Sequence, residues 1–146
     1  MGLDDLNAKI LKCLQKNARQ SNAEIGRQVG ISSPAVSERI KKMEDLGIIE
    51  GYKAAVSPFE MGYQLKAIIT LRAFMGKLKP FLEKVKMYDE VINCYRITGD
   101  ENIVMEVVLK NQKHLEAFID QLITYGESKT QIVLSRVIKQ KEIIPI

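Results

Sequence analysis

Between Gly30 and Gly47 the chain reads GISSPAVSERIKKMEDLG, and this stretch holds the residue types best suited to meeting a polyanion. Ser33, Pro34, Ala35 and Ser37 are small and open a helix; Glu38, Arg39, Lys41 and Lys42 follow. Small side chains let a helix start approach a surface closely, and its free amides and serine hydroxyls bind phosphate oxygens. Lys41 and Lys42 add charge for a nucleic-acid backbone. Val36, Ile40 and Met43 fall at i, i+4 and i+7 and face inward. That turns Pro34, Ser37, Glu38, Lys41 and Asp45 outward, with Ala35 and Lys42 on the flank. Arg39 falls near the edge of the inward face, where it either pairs with an acid or touches a phosphate. Glu38 repels phosphate but can accept from cytosine N4; a solvated or internally paired carboxylate is the plainer reading. Ser21 and Asn22 open the preceding helix and offer the same kind of phosphate contact.

Other chemistry is sparse. The single histidine, His114, falls on the outer side of an expected helix, where a solvated role is expected. Cys13 and Cys94 have no metal or redox spacing and read as buried free thiols, which suits a reducing cytoplasm. No glycine-rich phosphate loop or cluster of metal ligands is visible, so neither a metal nor a cofactor is expected. Net charge is +4, with 9 Lys/Arg against 8 Asp/Glu in residues 1–64 and 13 against 10 in the remainder. That even balance would not identify a nucleic-acid partner; the local placement around residues 33–42 does so. No apolar run has the ~20 residues a membrane span needs, and the N-terminus has no apolar signal core; no membrane partner is expected.

The elements that must position these residues are legible as periodicity. Leu6, Ile10, Cys13 and Leu14 mark one face of a first helix, with Asp4 and Asp5 at its start. Ser21 and Glu24 have capping-box spacing for a second, short helix, which Gly30 ends. Ser32 caps the third, and residues 48–55 read as a short extended piece with a glycine bend. Two short helices joined by a tight turn form a helix-turn-helix. Residues 56–64 contain proline and glycine and read as a connector.

Beyond it the period changes. Strands are expected over 65–74, 91–98, 102–109 and 130–140, and helices over 78–88 and 112–125, with a tight turn at Gly99-Asp100-Glu101. The order is βαββαβ, a ferredoxin-like split unit. The fold class is therefore α+β, with a winged helix-turn-helix in 1–55 and the ferredoxin-like domain in 65–146. Such a sheet carries helices on one face only. The other face is expected to show Ile, Val and Leu side chains, which calls for self-association through the sheet, most simply a homodimer with two recognition helices in successive major grooves of double-stranded DNA.

Taken in order, LDDLNAKIL, NAR, AEIGRQVGIS, GII and CYRITGDEN resemble the Lrp/AsnC, or feast/famine, family of bacterial and archaeal regulators, across essentially the whole chain. The resemblance implies a winged helix-turn-helix, dimers that assemble to octamers, and an amino-acid or related effector bound between dimers. The segments it assigns to that effector correspond here to Thr98, Gly99, Asp100, Glu101 and Asn102, and to Ser128 and Thr130 around Lys129. Amides of a glycine turn suit a carboxylate, Asp100 suits an ammonium, and the two hydroxyls complete either set. The family often has an acid where this chain has Asn102, so Glu101 could substitute or the ligand could differ. The alternatives are an enzyme on a ferredoxin-like fold and a helix-turn-helix that binds only protein.

Overall fold

A computed structural model describes residues 3–146. The chain divides into two compact units, one formed by residues up to Ala55 with Ile138–Ile146, the other by Val56–Val137. The last nine residues, expected with the second domain, thus cluster with the first.

The first unit holds α1 (Asp5–Lys16), α2 (Asn22–Val29) and α3 (Ser33–Asp45). Each start is capped by a side chain that satisfies an otherwise orphaned amide. Asp4 Oδ1 accepts from the Asn7 amide at 2.7 Å, and Ser32 Oγ from the Ala35 amide at 3.3 Å. Ser21 and Glu24 form the expected reciprocal box, at 3.1 and 2.9 Å. At the end of α2, Gly30 adopts the left-handed conformation, and the Gly30 and Ile31 amides both return to the Gly26 carbonyl. This fold-back brings Ile31 so near that a Cβ on Gly26 would stand 2.5 Å from the Ile31 carbonyl oxygen. Glycine at 26 is therefore a packing requirement of the turn. Ile10, Leu11, Ile25, Val36 and Met43 form the core, each fully buried aliphatic contributing about 1.5–3 kcal/mol. No strand forms in 48–55, so the expected extended piece makes no ladder within the chain. In the terminal segment, Ile143 exchanges two backbone hydrogen bonds with the Gln15 side chain of α1, at 2.8 and 3.0 Å.

The second unit contains β1 (Leu65–Ala73), α4 (Leu78–Lys84, continued by a 3-10 turn to Met87), β2 (Val91–Arg96), β3 (Ile103–Leu109), α5 (Gln112–Leu122) and β4 (Gly126–Ile132). Its four-stranded antiparallel sheet has the order β2-β3-β1-β4. Each crossover helix thus joins strands that straddle a third, the split βαβ topology. Ala67, Ile69 and Leu71 alternate with polar or half-buried neighbours, and with Ile103, Met105, Val107 and Leu109 they face Phe81, Val85, Phe118 and Leu122 of the helices. The opposite face is more mixed than expected. Ile68, Thr70 and Val104 are half-buried there beside a Lys66–Glu106 ion pair at 3.3 Å.

Two expectations fail for identifiable reasons. The last strand occupies 126–132 instead of 130–140, because β4 follows β1 residue for residue from Gly126 opposite Ala73 to Ile132 opposite Ala67. The Val133 amide adds one bond to the Lys66 carbonyl, and β1 then ends, leaving the apolar residues beyond with no partner strand. The start at Gly126 needs glycine, since a Cβ there would lie 2.3 Å from the Arg72 carbonyl oxygen. His114 is no solvated side chain. Its Nδ1 accepts from the Lys110 amide at 3.0 Å, so the ring proton lies on Nε2, 3.0 Å from Glu90 Oε1. Burial alone would raise the Glu90 carboxyl, but the His114 hydrogen bond, a backbone hydrogen bond and the charge of Lys110 hold it below the usual range.

Candidate nucleic-acid interface and effector cleft

In the first unit, the inward stripe of α3 fixes what the helix displays. Val36 and Met43 are buried, while Ser33, Pro34, Ser37, Glu38, Lys41 and Lys42 are exposed and Ala35 is half-buried. Neither lysine forms an ion pair among the described residues, and Glu38 forms none. The displayed strip therefore starts small and uncharged, carries Glu38 at its middle and Lys41 and Lys42 beyond it, and ends on the exposed acids Glu44 and Asp45. The small start suits a groove and the two lysines the flanking backbone. Ser21 is exposed and Asn22 half-buried at the start of α2, although the Ser21 hydroxyl is engaged in its cap.

Arg39 is turned away from this strip. Its Nη1 lies 2.7 and 3.0 Å from the two carboxylate oxygens of Asp4 and 2.9 Å from Asn7 Oδ1. Of the two readings open for Arg39, pairing with an acid is the one the geometry shows. The Arg39 hydrogen bond, with the Asn7 amide, holds the Asp4 carboxyl below its usual range.

At one end of the second unit's sheet, a cleft of about 260 Å³ is lined by Arg72, Asp100, Glu101, Glu127, Ser128 and Lys129. Register builds it. Arg72 stands opposite Glu127 across β1 and β4, with Arg72 Nη2 3.0 Å from Glu127 Oε2. Lys129, two residues on, emerges on the same face and reaches Glu101 of the β2–β3 turn at 2.5 Å. That hydrogen bond lowers the Glu101 carboxyl and raises the Lys129 ammonium.

Of the seven positions assigned to an effector, the cleft gathers Asp100, Glu101 and Ser128. Thr98 and Gly99 lie in the turn behind it, outside the lining. Thr130 sits opposite Ile69, on the helix-covered face, and does not line it. Asn102 works as a clip. Its amide donates to the Leu71 carbonyl, its carbonyl accepts from Ile97, and its Oδ1 accepts from the Ala73 amide at 3.1 Å. Its side-chain oxygen thus holds the turn against β1. Arg72 and Glu127 lie outside the segments assigned to the effector, and Lys129 enters them only as the middle of Ser128–Thr130. The available signal was the two-residue period, which places charged Arg72 at the end of an apolar strand.

Comparison with known proteins agrees with both halves. The family model described as winged helix-turn-helix DNA-binding matches residues 3–50, and that of the Lrp/AsnC ligand binding domain matches residues 66–143. The HTH-type transcriptional regulator Ptr1 of Methanocaldococcus jannaschii is 35% identical, covering 99% of each chain. Escherichia coli AsnC is 30% identical over 95% of this chain and 97% of its own, with a TM-score of 0.85. A transcriptional regulator of Neisseria meningitidis, solved in complex with L-Met, is 26% identical over 97% and 96%, with a TM-score of 0.91. An N-terminal helix-turn-helix, a βαββαβ domain of the same fold, and relatives that are regulators and not enzymes lead to one assignment: the chain belongs to the Lrp/AsnC family of DNA-binding transcriptional regulators.

Proposed function

We propose that this regulator is switched by an amino acid or closely related metabolite bound in the Arg72–Lys129 cleft. The supporting observation is the cleft's pairing of both charge signs within one small volume. An amino acid brings one carboxylate and one ammonium, and the exposed Arg72–Glu127 pair is weak enough to reopen around it. The L-Met complex of the Neisseria relative supports the ligand class.

In this reading residues 1–55 bind DNA through Ser21, Asn22 and the displayed strip of α3, 56–64 connect, and 65–146 take the effector and assemble. The protein acts in the cytoplasm as a homodimer that assembles to octamers, in keeping with its family resemblance. The half-buried Ile68 and Val104 on the open sheet face support association there. The effector shifts assembly only by its differential affinity for the assembled states, and so changes which DNA sites are held.

A thermal-shift panel of the common amino acids, with light scattering on each hit, tests the proposal. A ligand at 100 times its Kd adds ~2.7 kcal/mol, which is several degrees in a chain of this size. The hit should disappear in Arg72→Leu and should change the particle mass. Stabilisation unaffected by Arg72→Leu would place the site elsewhere.

A further inference from the structure

The charges lining the cleft do not balance. Arg72 and Lys129 face three carboxylates, Asp100, Glu101 and Glu127. Two of these are matched, Glu127 by Arg72 at 3.0 Å and Glu101 by Lys129 at 2.5 Å. Asp100 forms no ion pair among the described residues, yet lies close enough for its charge to help hold the proton on Lys129. The remaining lining residue is Ser128, so among the described residues this chain contributes no aliphatic or aromatic side chain to the lining.

From this we infer that the effector is a cationic amino acid, one whose side chain carries a positive charge in addition to the zwitterion. The inference rests on the cleft being the effector site. A neutral amino acid adds equal positive and negative charge and leaves the Asp100 excess uncompensated. An acidic one deepens it. An apolar side chain meets no aliphatic or aromatic side chain of this chain's lining.

A cationic ligand satisfies each group in turn. Arg72 and Glu127 are both well exposed, with side chains 58% and 66% accessible, so their pair opens at little cost. The Arg72 guanidinium then takes the ligand carboxylate as a two-pronged contact. The freed Glu127 takes the α-ammonium, and Asp100 takes the side-chain cation. Lys129 and Glu101 stay closed on each other as the cleft wall.

Isothermal titration of the full chain with matched ligands tests the charge. L-arginine is compared with L-citrulline, and L-lysine with L-norleucine, partners of similar shape that differ in side-chain charge. The expected result is at least tenfold tighter binding of each charged member, with the ratio shrinking as salt is raised. Asp100→Asn should bring the ratio close to one. Glu127→Gln, which also removes one negative charge, should shrink the ratio and serves should Asp100→Asn fold poorly. Equal or tighter binding of citrulline and norleucine overturns the charge selectivity and leaves the effector cleft standing. Tighter binding of L-glutamate overturns it likewise. No binding by any amino acid overturns the effector reading and this inference together.

Discussion

Arg39 of α3 grips Asp4 at the start of α1, its Nη1 within 3.0 Å of both carboxylate oxygens. Asp4 at the same time caps α1 through the Asn7 amide. One carboxylate thus fixes where α1 begins and ties it to the recognition helix. Arg39→Ala should therefore lower the melting temperature while leaving the salt slope of DNA binding unchanged. A flatter slope with unchanged melting would return Arg39 to the DNA interface.

The Asp4 contact also sets a pH dependence. Its folded pKa is depressed by Arg39, so the stability it supplies is complete above the ordinary aspartate range. It is lost as pH falls through the lower folded value. The stability gap between wild type and Asp4→Asn should be constant near neutrality and close as pH drops below about 4. A gap that persists in acid would mean that Asp4 acts only through its cap.

Lys41 and Lys42 are exposed and form no ion pair among the described residues, the behaviour expected of backbone contacts. The double alanine variant should weaken binding to all duplexes about equally. Its log–log salt slope should flatten by roughly 0.9 for each phosphate relinquished. Unchanged affinity would remove both lysines from the interface.

Gly26 is boxed in by the Ile31 carbonyl oxygen, 2.5 Å from where a Cβ would sit. Gly26→Ala forces the turn between α2 and α3 open, at about 1–3 kcal/mol for overpacking. Denaturant unfolding should show that loss, and DNA affinity should fall with it because α3 is re-aimed. Full stability would show that the turn relaxes freely.

The Tyr88 hydroxyl is buried with no hydrogen-bond partner among the described residues, while its ring packs edge-on to Phe118 at 5.3 Å. Phenylalanine keeps the ring contact and removes a group whose desolvation is uncompensated. Tyr88→Phe should be neutral or stabilising by up to about 1 kcal/mol. A loss of that size would reveal a bound water on the hydroxyl.

Short-range order in the chain is what made most of this legible. Capping residues at Asp4, Ser21 and Ser32 and the inward triplet Val36, Ile40 and Met43 are local signals, and they gave the three helices and the face that α3 displays. Strand order followed from alternating helices and strands. What was hidden depends on pairing between distant segments. The start of β4 at Gly126 is decided by the nine-residue length of β1, which no window around residues 126–140 contains. His114 meets Glu90, and Lys129 meets Glu101, across 24 and 28 residues of sequence. Asn102 reads as turn composition until the Ala73 amide is found on its side chain.

The most direct test of the whole account is selection of duplexes from a random pool by the full chain, followed by a salt titration of the enriched sequence. The account predicts an enriched site with two related half-sites about one helical turn, or a multiple, apart. Affinity should fall steeply with salt, and Ser37→Ala should alter the enriched sequence while Lys41→Ala and Lys42→Ala change only its strength. No enrichment, or an enriched site that is indifferent to all three substitutions, would contradict the assignment of α3 as the element that reads DNA.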